Sequence, residues 1–196
     1  MSRYYVNGIV VQRRRDEKYQ GIDSGIDYDA WYLNYIYEKD NELVRGYYKY
    51  VDISEGSFEI IEACINNQFI KKYILRSNKL NVDIRLVLCV TTLSFPQYNA
   101  SNLELEFLGY DYAYPGGIYY SAIYNDIIYD RIKEFHNIKL NKNGLFDSEE
   151  ELDAFIQKRE DLKKVYKKGM FESGVFVKYK LYEIDIESFL NNCCDD

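Results

Sequence analysis

Strand signals open the chain at residues 4–12, and the polar, glycine-containing stretch 13–29 after them reads as a loop. In 31–53, Trp31, Leu33, Tyr35 and Tyr37 fall on alternate positions before Glu38-Lys39-Asp40-Asn41. That pattern predicts a hairpin, with a helix as the alternative for its first arm. Ser57 can cap a helix running to Ile74, because Ile61, Ile65 and Phe69 recur every four residues and share a face. The plainest strand is 81–92. There Val82, Ile84, Leu86, Leu88 and Val90 alternate with Asp83 and Arg85, and the later residues are apolar on both faces, as in a central strand. After a loop at 96–101, Leu103, Leu105 and Phe107 alternate with Glu104 and Glu106 in the next strand.

Beyond Pro115-Gly116-Gly117, Ile123, Ile127, Ile128 and Ile132 follow helical spacing, and Phe135 closes the stripe. A further helix starts at Ser148, where Glu151 three residues on completes a capping box. It continues through Leu152, Phe155, Ile156 and Leu162 towards Gly169, with acids in its first turn and lysines in its last, as the helix dipole favours. Val175, Val177, Tyr179 and Leu181 alternate with Lys178 and Lys180. This predicts a solvent-facing strand at a sheet edge, where lysines discourage unwanted pairing. Strands and helices mix without regular alternation, no repeat recurs at fixed period, and no Pro-, Gly- or Ser-rich linker divides the chain. The expected architecture is one α+β domain over 1–196, a mainly antiparallel sheet packed with about three helices.

Composition narrows the function classes. Of 196 residues, 47 % are hydrophobic, enough for a real core. The net charge of -7 and a pI near 4.9 argue against direct nucleic-acid binding, which needs a basic stripe to neutralise phosphates. An acidic surface does suit a basic partner. The compact basic run Arg13-Arg14-Arg15 is followed at once by Asp16 and Glu17, so it reads as a solvated loop. No segment approaches the roughly 18 apolar residues of a membrane span, and the first residues lack a signal-peptide pattern. The chain is therefore expected in the cytoplasm. Its four cysteines agree with that: Cys64 and Cys89 sit in apolar patterns, and Cys193-Cys194 lack further ligands at zinc spacing, so no metal and no cofactor is expected.

Candidate chemistry is sparse. The one histidine, His136, lies beyond an apolar stripe, where it reads as a helix-end or surface residue. Pro115-Gly116-Gly117 lacks the Lys–Ser/Thr pair of a phosphate loop, since Ile118-Tyr119-Tyr120 stands there, and a turn explains its glycines. Glu104-x-Glu106 resembles the Glu-x-Glu element of ADP-ribosyltransferases, with Arg85 upstream and Thr91-Thr92-Leu93-Ser94 loosely similar to their Ser-Thr-Ser segment. Two glutamates on the wet face of a strand are the simpler account.

The segment 108–131 holds seven tyrosines around its turn. Tyrosine offers a large, rigid, amphipathic contact at modest entropic cost, and binding energy concentrates on such residues. Tyr110, Tyr112 and Tyr114 would share one strand face, with Tyr120 returning near it, while Asp111 and Asp126 supply acceptors for a partner's cations. Packing in the core with the hydroxyls hydrogen-bonded is the other reading, and both stay open. The motifs FLGYDYAYPGGIYYSAIYND, LNKNGLFDSEEELDAFIQKRE and FVKYKLYEI look like small immunity proteins of bacterial polymorphic toxin systems, over roughly the C-terminal half. That resemblance implies a cytoplasmic inhibitor that covers the active site of a cognate toxin, with no catalytic residues of its own. Tyr110, Asp111, Tyr112, Tyr114, Tyr120 and Asp126 are the expected protein-binding residues. A phage or mobile-element inhibitor of host defence that sequesters a nucleotide signal or blocks a host defence protein, and a carboxylate-dependent enzyme such as an ADP-ribosyltransferase, are the alternatives; a homo-oligomer is compatible with either binding role.

Overall fold

The structure is a computed structural model and describes residues 4–14, 28–29, 67–79, 84–92, 100–114, 120–123, 126–127, 132–166, 171 and 175–192. Along the chain these form β1 (Tyr5–Arg14), β2 (Tyr28–Asp29), α1 (Asn67–Lys79), β3 (Ile84–Thr91) and β4 (Leu105–Tyr114). Then follow β5 (Tyr120–Ser121), a 3-10 turn at Lys133–Phe135, α2 (Glu149–Val165), β6 (Val177–Ile184) and α3 (Ile186–Asn192). The strands make one sheet in the order β2-β1-β3-β6-β4-β5, and every neighbouring pair is antiparallel. The fold is α+β, as the irregular mixing of strand and helix patterns implies. Among the described residues two longer helices, α1 and α2, accompany the sheet, and the short α3 is an addition to the expected set.

β3 lies between β1 and β6, and its residues from Ile84 to Cys89 are buried without a break. That is the signature of a central strand covered on both faces. β6 departs from expectation: it is not an edge strand but sits between β3 and β4. Its lysines have partners instead of solvent. Lys178 pairs with Glu149 at 3.2 Å and with Asp153, both on α2, so the alternating lysines mark a helix-covered face.

α2 begins as its sequence requires. Ser148 Oγ accepts from the Glu151 N–H at 3.2 Å, and the Glu151 carboxylate accepts from the Ser148 N–H at 3.3 Å. Its inward face is Leu152, Phe155 and Arg159. Phe155 meets Phe135 and Phe146 at ring separations of 5.0 and 5.5 Å, and burying such a ring contributes roughly 2–3 kcal/mol. Ala122, Ile123, Ile132, Phe171 and Phe176 complete this cluster, with Tyr110 and Tyr112 packed against it. Of the expected isoleucine stripe, Ile123 and Ile132 are buried here and Ile127 is half-buried, but Ile132 is not helical: it is extended at φ -122°, ψ 102°, ahead of the short 3-10 turn. On the opposite face of the sheet, Val87, Cys89, Ala113, Val177, Tyr179 and Leu181 pack with Leu108 and Leu145. The expected hairpin at 31–53, the Ser57 cap and Cys193-Cys194 lie outside the described residues.

Where β4 meets the loop before α2, the contact is close. Gly109 has φ 142°, and a Cβ there would stand 2.7 Å from Leu145 Cβ and 2.8 Å from the Phe146 carbonyl oxygen. Gly109→Ala is therefore expected to destabilise the fold by roughly 1–3 kcal/mol in urea unfolding. Wild-type stability in that variant would contradict the geometry.

Candidate protein-binding surface

Between Phe107 and Gly109 the β4–β6 register slips: Phe107 stands opposite Tyr182 and Gly109 opposite Leu181, leaving Leu108 as an extra residue. In an unbroken strand Phe107 and Tyr110, three positions apart, would point to opposite faces. The bulge returns them to the same face, and their rings meet edge-on at 5.2 Å. Phe107 also contacts Tyr182 at 5.4 Å. Lys180, the residue opposite Tyr110, holds its ammonium 4.0 Å from the Tyr4 ring centroid and 5.5 Å from that of Tyr110. The bulge thus assembles an aromatic patch from β4, β6 and the residue preceding β1.

The patch is open to solvent at one end. Phe107 is 43 % and Leu105 41 % exposed, unusual values for apolar strand residues. In the same segments Glu104, Glu106, Asp185 and Glu187 are exposed, and Glu183, which pairs with Glu106 on the other face of the sheet, is half-exposed. At the other end the first turn of α2 approaches. Burial, then the charge of Glu149, raises the phenol of Tyr110, and the same two causes in the same order raise that of Tyr4. Both rings therefore stay neutral across the physiological range.

Two of the expected site residues are interior. Asp111 is 1 % exposed and accepts hydrogen bonds from Ser121 Oγ at 2.8 Å and the Tyr112 N–H at 2.5 Å. It joins β4 to β5. Asp126 is 2 % exposed and accepts from Arg159 Nε at 2.5 Å; Arg159 itself is 0 % exposed. The guanidinium lies 4.7 Å from the Phe176 ring centroid, 5.5 Å from Phe171 and 6.0 Å from Tyr112. Its Nη1 is 3.8 Å from Glu160 Oε1, and neither Nη atom has a hydrogen-bond partner. Ring faces take their place, an attraction that gains strength where water is excluded. Neither carboxylate faces a partner's cations, so these two residues act in the fold.

The tyrosines divide. Tyr110 belongs to the exposed patch. Tyr112 turns towards the arginine cage, its ring 5.3 Å from Phe176. Tyr114 and Tyr120 stand opposite each other in the β4–β5 pairing. Phe107, Leu105, Tyr182, Tyr4 and Lys180 escaped the sequence reading. One cue was available, since a glycine inside a strand pattern, Leu108-Gly109, suggests a bulge. Arg159 gave no cue, because a charged residue on a helix normally faces solvent.

The described residues of the transferase pattern lie on neighbouring strands: β6, whose Glu183 pairs with Glu106, separates β4 from β3, which carries Arg85. Arg85 is buried, hydrogen-bonded to Asn143 at 3.0 Å and 3.8 Å from Glu183. Glu106 lies within β4, whereas Glu104 precedes it. Among the described residues no group of three or more His, Cys, Asp or Glu side chains could hold a metal ion, and no helix is long and apolar enough to cross a membrane. No family model, no curated protein and no solved structure matches this chain.

Burial pushes the Asp111 carboxyl from its ordinary 3.8 up to about 7, against the lowering effect of its two hydrogen bonds. Across that window the native state keeps a proton the unfolded chain has released. Stability conferred by Asp111 is thus fully present below the lower value, declines as pH rises towards the upper one, and is lost above it. Asp111→Asn is expected to flatten this slope in urea titrations across that window; an unchanged slope would assign the dependence elsewhere. Asp126→Ala leaves the Arg159 charge buried without its carboxylate and is expected to cost about 3–5 kcal/mol. A loss below about 1 kcal/mol in chemical unfolding would show that the cage alone holds the cation.

Proposed function

We propose that this chain is a cytoplasmic protein-binding module that neutralises a toxin, of nuclease type, by covering its active site. The observation that carries the reading is the exposed Leu105–Phe107 end of the aromatic patch, with the exposed Glu104 and Glu106 beside it along the strand, on a chain of net charge -7. Aromatic rings without charge supply desolvated contact area, and surrounding carboxylates steer a cationic partner and fix its orientation. A nuclease presents such a cationic surface, because its cleft must hold phosphates. Inhibition then needs only steric and electrostatic cover, with no reaction by this chain. The interior positions of Asp111 and Asp126 shift the cation-pairing role to the exposed Glu104 and Glu106. Tyr110 remains an anchor, joined by Phe107.

A photo-crosslinking residue at position 107 in the native cytoplasm, followed by purification of the captured protein, tests this. A cationic protein is expected whose toxic activity falls on addition of the chain. Phe107→Ala with Tyr110→Ala should weaken that complex by roughly 2 kcal/mol or more in calorimetry, while the exposed Phe107 costs the fold little. A captured partner bound equally well by the folded double variant would remove the patch from the interface.

A further inference from the structure

Among the described residues, the outer edge of β4 is paired only from Tyr110 onwards. Tyr110 exchanges backbone hydrogen bonds with Phe146 at 2.8 and 3.1 Å, and Ala113 and Tyr114 pair with β5. The Leu108 carbonyl accepts from the side-chain amides of Asn141 and Asn143 at 2.9 and 3.3 Å. Before that point the backbone groups of Glu104 fix the direction. The Glu104 carbonyl accepts from the Asp185 N–H at 3.2 Å, and the Glu104 N–H donates to Ser188 Oγ at 3.2 Å. Both of its groups thus face the β6–α3 side. Hydrogen-bonding direction alternates along a strand, so the groups of Leu105 and Phe107 point outward. Leu105, Glu106 and Phe107 are also all exposed.

This edge carries neither lysine nor proline between 103 and 109, two usual means of keeping other strands away. Its charges are Glu104 and Glu106. A second copy joining antiparallel would set these acids against each other, with Glu183, Asp185 and Glu187 adding the same sign nearby, and like charges across a ladder are destabilising. A strand of opposite charge meets no such penalty.

We propose that Leu105–Phe107 is an open strand edge that accepts an extended basic segment of the partner, alternating apolar residues with lysine or arginine. Cross-strand neighbours share a face. The segment's apolar residues therefore meet Leu105 and Phe107, and its cations meet Glu106 on the other face. This rests on the reading of the patch as a docking surface for a cationic protein and adds its mode of attachment, strand addition.

The test uses a fluorescent eight-residue peptide of alternating lysine and valine, and the same peptide N-methylated at alternate residues so that it keeps its charge but loses ladder donors. Anisotropy with the full chain at low salt should show binding of the first, weakened about tenfold or more by methylation and similarly by Glu106→Lys. Amide exchange at Leu105 and Phe107 should slow on binding. Equal binding of the two peptides overturns strand addition yet leaves surface docking of a cation intact, which separates this failure from that of the parent reading. Absence of binding, or sedimentation of the chain as a dimer through this edge, also overturns it.

Discussion

One extra residue in β4 sets the arrangement of everything around it. Leu108 has no counterpart on β6, and Gly109 takes a φ of 142° that a side chain would oppose. Opposite the bulge, Asn141 clamps the loop before α2 by accepting from the N–H groups of Asn143 and Leu145 at 2.9 and 3.2 Å and donating to the Leu108 carbonyl. Strand and loop approach so closely that only glycine fits. Before the bulge, Leu105 and Phe107 face the same side as Tyr110 and Tyr112 after it. The aromatic patch follows from that shift in alternation.

Two kinds of aromatic environment result on one face of the sheet. Towards α2, Tyr112, Phe171 and Phe176 enclose Arg159, and Asp126 anchors it. A charge kept out of water needs both, because desolvating a guanidinium is costly without a close counter-ion. Towards the start of β4, Phe107 is exposed, Tyr110 and Tyr182 are half-buried beside it, and the Lys180 ammonium lies 5.5 Å from the Tyr110 ring centroid. The first environment stabilises the fold. The second leaves apolar area in contact with water, which is the feature the proposed binding role rests on.

The legible parts of the sequence were those governed by local chemistry. The Ser148–Glu151 capping box and the uninterrupted apolar stretch of β3 depend on neighbours in the chain, and both are present in the structure. The lysines of β6 misled because Lys178 and Lys180 look solvent-facing until Glu149, Asp153 and the Tyr4 and Tyr110 rings are brought to them by tertiary contact. Asp111 and Asp126 misled for a related reason. A carboxylate among tyrosines reads as a surface acceptor, and its burial depends on Ser121 and Arg159, 10 and 33 positions away. Phe107 was visible as an apolar strand residue, but its place beside Tyr110 required the bulge.

The most direct measurement of the central claim is an NMR titration of the aromatic-labelled chain with the captured cationic partner, read at each ring. The account predicts that Phe107, Tyr110 and Tyr182 shift first and together, while Phe155, Phe171 and Phe176 in the interior stay in place. Shifts concentrated on the interior rings, or on surfaces remote from β4 and β6 with Phe107 unmoved, would contradict it.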